Sequence, residues 1–201
     1  MPVKDILRHR KIGWLAVIGP IYAFVSIAIS ISLSPWFGWH TNAISDLGVH
    51  SVAPIFNVSL FVCGILCAIF SLGLFIRFKS RLAKSGMAIM LMASLSLAGI
   101  GVFTEDFSPY HLFFSVAFFV LLLLAALFLS PYFLLKRKTR ILGITGILAL
   151  VLGLFGWAYH AAVGWGTGVA IPEALTFVPG GVWIVFLGLW ILRKDAIRQI
   201  N

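Results

Sequence analysis

Charge is what this chain has least of. Only 10% of its 201 residues are Asp, Glu, Lys or Arg, where a soluble domain carries about a quarter. That shortage excludes an ordinary water-soluble globule and points to an integral membrane protein. Alternation of apolar and polar residues with a period of two is also missing, which argues against a β-barrel. Cysteine is scarce: Cys63 and Cys67 stand one helical turn apart inside an apolar run. They face the same way, cannot staple distant segments together, and read as small core residues. No small-residue cleavage site follows the basic opening "MPVKDILRHR", and the apolar run behind it is too long for a signal-peptide core. That run is expected to be a retained first span.

What the chain has in abundance is apolar length, with 61% hydrophobic residues. Six stretches suffice to cross about 30 Å of hydrocarbon as helices: 12–34, 53–76, 85–103, 110–135, 141–163 and 173–192. Backbone groups in lipid must be satisfied within their own segment, so runs of this length are helical. The expected fold is an all-α integral membrane protein, a six-transmembrane-helix bundle forming one domain over residues 1–201.

Basic residues orient it. Lys4, Arg8, Arg10 and Lys11 precede span one; Arg77, Lys79, Arg81 and Lys84 separate spans two and three. Lys136, Arg137, Lys138 and Arg140 separate spans four and five, and Arg193, Lys194 and Arg198 follow span six. With six spans, every Lys and Arg falls on one side, and a miscounted span would scatter them. The positive-inside rule puts that side, with both termini, in the cytoplasm of a cell whose plasma membrane holds the chain. The net charge of +9 therefore reads as a topology signal and anionic-lipid contact rather than nucleic-acid binding.

The other side holds no Lys or Arg. It gathers Asp46, Glu105, Asp106 and Glu173 with His40, His50, His111 and His160, beside interface aromatics such as Trp36, Trp39 and Trp165. The first outer loop, "HTNAISDLGVH", is broken by Pro35, Gly38 and Gly48, with Asp46 and His50 four residues apart and able to share a face if that part is helical. Pro54 suits the start of span two, and Asn57 follows at membrane depth, where it needs an interior partner. In the second loop, "FTEDFSPYH", Ser108 is expected to cap span four with Pro109 in its first turn, which places His111 in that turn as a neutral imidazole. The third loop is glycine-rich, Glu173 opens span six, and Pro179 should bend or break it.

Singly, each of these residues has a plain explanation as a dipole partner or interface group. Drawn from three loops to one depth, Asp46, His50, Glu105, His111, His160 and Glu173 are expected to meet in a pocket at the outer mouth. Several chemistries stay open. His50, His111, His160 and Asp46 could ligate zinc or another divalent metal, although no H-E-x-x-H spacing is present. Without metal, Asp46, His111, Glu105 and Glu173 are the general acid–base set, and Ser45 or Ser115, the latter one turn below His111, is a conceivable nucleophile. Ser45, Asn57, Asp106 and Trp39 are the expected substrate contacts. His111 with His160 could hold a single haem; transport fits poorly, because ionisable groups are missing from the middle of the spans.

The segments "NAISDLG", "PIFN", "GVFTED", the His in the first turn of span four and the acid opening span six resemble the domain-of-unknown-function 998 family of six-span prokaryotic membrane proteins. That family is distantly similar to the Frag/DRAM/Sfk group, one branch of which takes part in lipid remodelling. The resemblance implies lipid headgroups or acyl chains as the substrate class, and Ser45, Asp46, Asn57, Glu105, His111 and Glu173 as the positions to watch. The expectation is an outer-leaflet pocket that hydrolyses a lipid headgroup or transfers an acyl ester, with Asp46 and His111 as the acid–base pair and membrane lipids as partners. The alternative is a non-enzymatic lipid-binding or scaffold membrane protein. With no Lys or Arg outside, an ester or sugar headgroup is easier to accommodate than a phosphate. Nothing in the sequence sets the oligomeric state.

Overall fold

The computed structural model describes residue 7 and residues 9–193. The termini, with Lys4, Arg8, Lys194 and Arg198 of the orientation argument, lie outside the described residues. Six long helices follow one another: α1 (Gly13–Ser32), α2 (Ala53–Arg77), α3 (Arg81–Val102), α4 (Tyr110–Leu134), α5 (Arg140–Ala162) and α6 (Ala170–Ile191). Each is long and apolar enough to cross a membrane, and no strand occurs among the described residues.

Local chemistry accounts for most boundaries. Pro54 lies in the first turn of α2, where its missing N–H costs nothing. The Ser80 hydroxyl accepts from the Ala83 amide at 3.5 Å, so α3 starts at Arg81, ahead of the purely apolar stretch from 85. The second loop departs from expectation. Ser108 does not cap α4, which begins at Tyr110 without a side-chain cap, after a cis Ser108–Pro109 peptide. Pro179 does not break α6, which runs from Ala170 to Ile191 without interruption.

Each helix packs on its successor, and α1 packs on α6, so the six close into a ring. In lipid there is little hydrophobic drive between helices, and small residues that let backbones approach take over. Gly64 illustrates this: a Cβ there would lie 2.5 Å from the Ala98 amide nitrogen and 2.6 Å from the Ser94 carbonyl oxygen. At the basic end of the bundle, the buried Arg77 donates to the carbonyls of Leu7 and His9, both at 2.8 Å. The chain ahead of α1 is thereby tied to the last turn of α2.

A candidate functional site at the acidic end

The opposite end is built from three loops that meet. In the first, residues Ile44–Gly48 form a 3-10 turn. Asp46 shapes it: its Oδ2 accepts from the Asn42 carboxamide at 2.6 Å and from the Ala43 amide at 3.2 Å. The Asn42 carboxamide oxygen in turn accepts from the Gly38 amide at 3.0 Å. This is the local side-chain-to-backbone bonding that makes Asx residues turn formers. Asn57, one turn into α2, donates to the Gly48 carbonyl at 2.8 Å, so its interior partner is the end of this turn.

The third loop is laid against the first. The Gly168 and Ala170 amides donate to the His40 and Asn42 carbonyls, both at 3.0 Å. The approach is so close that a Cβ on Gly168 would run into the backbone of Thr41 and Asn42. Glu173, in the first turn of α6 and only 6% exposed, accepts the Ile44 amide on its Oε2 at 2.6 Å.

The second loop supplies Glu105. Its Oε1 accepts the Ser45 hydroxyl at 2.6 Å and lies 3.9 Å from His111 Nε2. Partial burial holds the Glu105 carboxyl above the usual carboxylate range. The Ser45 hydrogen bond opposes this, the Asp46 charge adds to it, and His111 opposes it more weakly. His111 Nδ1 is 2.8 Å from the Phe103 carbonyl oxygen. A carbonyl only accepts, so Nδ1 carries the proton and Nε2 of the neutral ring is an acceptor. Nε2 lies 3.2 Å from Ser115 Oγ, one helical turn further along α4. The result is a polar chain, Ser45–Glu105–His111–Ser115, hydrogen-bonded at its two ends and joined at its centre only by the 3.9 Å approach of Glu105 to His111.

Both ends of that chain open on one cavity. Ser45, Ser115 and Glu173 line it at the acidic end; beyond them the wall is apolar, including Phe56, Phe118, Phe177, Met90 and Ile184, with Cys63 and Cys67. Its empty space, open mouth included, is about 830 Å³. Along α6 it runs from Glu173 to Ile184 and along α2 from Phe56 to Cys67. At 1.5 Å per residue each stretch is roughly 16 Å, about half the hydrocarbon thickness of a bilayer.

The structure thus brings Ser45, Asp46, Glu105, His111 and Glu173 to one end of the bundle around one turn, with Asn57 beneath it. Others stay apart. His50 is exposed and its ring rests on Trp36, centroids 4.2 Å apart, rather than beside Asp46. Trp39 is 45% exposed and packs edge-on against Phe37, and Asp106 is exposed. The His160 Nδ1 is buried with no hydrogen-bond partner. Among the described residues no three of His, Cys, Asp and Glu converge to hold a metal ion, so His50, His111, His160 and Asp46 do not form a ligand set. Asp46 makes no hydrogen bond to His111; the carboxylate beside that ring is Glu105. Ser115 is the residue whose place was least evident, though the i, i+4 spacing from His111 is its signal.

These features define a six-span helical membrane protein with a polar-capped apolar cavity. Residues 17–190 match the family described as Protein of unknown function (DUF998), and the chain belongs to that family. No curated protein matches the chain, and no solved structure does.

Proposed function

We propose that this protein takes the apolar tail of a membrane lipid into its central cavity and cleaves or transfers an ester at the lipid's polar end. In this reading the acidic end faces away from the cytoplasm, as the basic residues at the other end require of a plasma-membrane protein. The observation that carries the proposal is the His111–Ser115 pair at the head of an apolar cavity one leaflet deep. A tail lying along α2 and α6 puts its first polar atoms beside Ser45, Ser115 and Glu173.

The chemistry follows from the protonation of the ring. His111 Nε2 takes the Ser115 hydroxyl proton as Oγ attacks the ester carbonyl carbon. The imidazolium that forms donates Nδ1–H to the Phe103 carbonyl and faces the Glu105 carboxylate. It then returns the proton to the departing alcohol as the ester C–O bond breaks, leaving the acyl group on Ser115. Water or a second alcohol, deprotonated by the same nitrogen, releases it. A positioned base of this kind contributes about 10²–10⁴-fold. Asp46 and Glu173 are bound to loop amides, so neither acts on the ester here. That last observation also favours a second reading, a lipid-binding protein without turnover, in which the polar end only grips its ligand.

A fluorophosphonate probe separates the two. Purified protein in nanodiscs is labelled and digested, and the modified peptide is identified by mass spectrometry, alongside release of fatty acid from ester lipids. Labelling of Ser115 that disappears in His111→Ala, together with ester turnover lost in Ser115→Ala, is expected. Tail binding with neither labelling nor turnover would leave the non-enzymatic reading.

A further inference from the structure

Resting on the lipid-binding reading, we infer that the lipid taken by the cavity carries a positively charged amine within a few bonds of its apolar chain, and that Glu173 receives it. The first ground is the sign of every charge at the cavity head. The loops that build this end, residues 33–52, 103–109 and 163–169, contain no Lys or Arg. They contain the acids Asp46, Glu105 and Asp106, and Glu173, in the first turn of α6 beside them, feels the charges of Glu105 and Asp46.

The second ground is Glu173 itself. Its side chain is buried and lines the cavity, one oxygen accepts the Ile44 amide, and no ion pair to it exists among the described residues. With one backbone donor and no counter-charge, such a buried carboxyl carries a large desolvation cost when it ionises. An ammonium group seated beside it offsets that cost and adds charge-assisted hydrogen bonds. Ser45 and Ser115, lining the same end, can accept the remaining ammonium protons.

The third ground is position. Glu173 stands one turn from Phe177 on the same helix, and both line the cavity. The cation therefore belongs where the apolar chain begins. A phosphate placed there would meet the Glu173 carboxyl and no Lys or Arg in the cavity wall, which disfavours anionic phospholipids as the bound class.

The test uses three sixteen-carbon probes with one chain and different ends: hexadecylamine, hexadecanol and hexadecanoate. Each is titrated at pH 7 against the full chain in a neutral detergent, with tryptophan fluorescence as readout. The amine should bind at least tenfold tighter than the alcohol, with the carboxylate weakest. In Glu173→Gln, which keeps an acceptor for the Ile44 amide, the amine should fall to the level of the alcohol. Equal affinity of amine and alcohol in the unaltered protein would overturn the inference and leave the lipid-binding reading standing, as would an amine preference that survives Glu173→Gln. Binding of none of the three would overturn both.

Discussion

Replacing Glu173 with alanine should destabilise the protein, and replacing it with glutamine should not. In the native protein the Ile44 amide, on a residue 4% exposed, donates to Glu173 Oε2 at 2.6 Å. Alanine removes the acceptor and leaves that N–H buried and unpaired, at a cost of about 1–3 kcal/mol. For a chain of this length 1 kcal/mol corresponds to about 2–4 °C in Tm, so the loss is roughly 2–12 °C. Glutamine keeps an acceptor oxygen at the same reach and has no charge to desolvate. Its Tm should equal or exceed that of the unaltered protein. Thermal unfolding of detergent-solubilised protein, followed through its seven tryptophans, measures both. If the alanine variant melts with the glutamine variant, the Ile44–Glu173 bond does not hold the first loop to α6, and the account of how the cavity head is built fails.

Three further outcomes are expected. Because the Glu105 carboxyl titrates above its ordinary value, its contribution to stability is full below the unfolded value of about 4.3 and is lost as pH rises through the folded value. Glu105→Gln should flatten that part of a Tm-against-pH curve, and an unchanged slope would count against the burial argument. Gly64→Leu should weaken or prevent folding, since even a Cβ meets the α3 backbone; a monodisperse variant with native Tm would contradict the α2–α3 packing. Gly168→Val should lower Tm by separating the first and third loops, with Gly164→Ala, where a Cβ meets little, as the comparison. Gly164 has φ of +88°, so a mild strain of about 1–2 kcal/mol is expected there too, and the valine must cost visibly more.

The six helices were legible because hydropathy and basic punctuation carry the same message. The boundary at Ser108 was misread, since Ser-Pro is a helix-start signal in general while here the start passes to Tyr110. The gathering of Asp46, Glu105, His111 and Glu173 followed from counting spans, because an even or odd loop decides which end a residue reaches. What they bond to did not follow. Asp46 and Glu173 turn to amides of Ala43 and Ile44, contacts set by loop geometry that side-chain chemistry alone does not encode. The cavity was invisible for a different reason: Phe118, Met90 and Phe177 have the same composition as a filled core, and emptiness depends on how helices are spaced.

The first loop is completed by residues near the far end of the chain, and this dictates an order of assembly. Ile44, His40 and Asn42 leave the ribosome long before Gly168, Ala170 and Glu173, which complete their hydrogen bonds. Until the final hairpin has inserted, those backbone groups must stay hydrated, and the wall supplied by Phe177, Gly181 and Ile184 is missing. The cavity head is therefore incomplete until α6 is in place, and a nascent protein stalled at five helices lacks it.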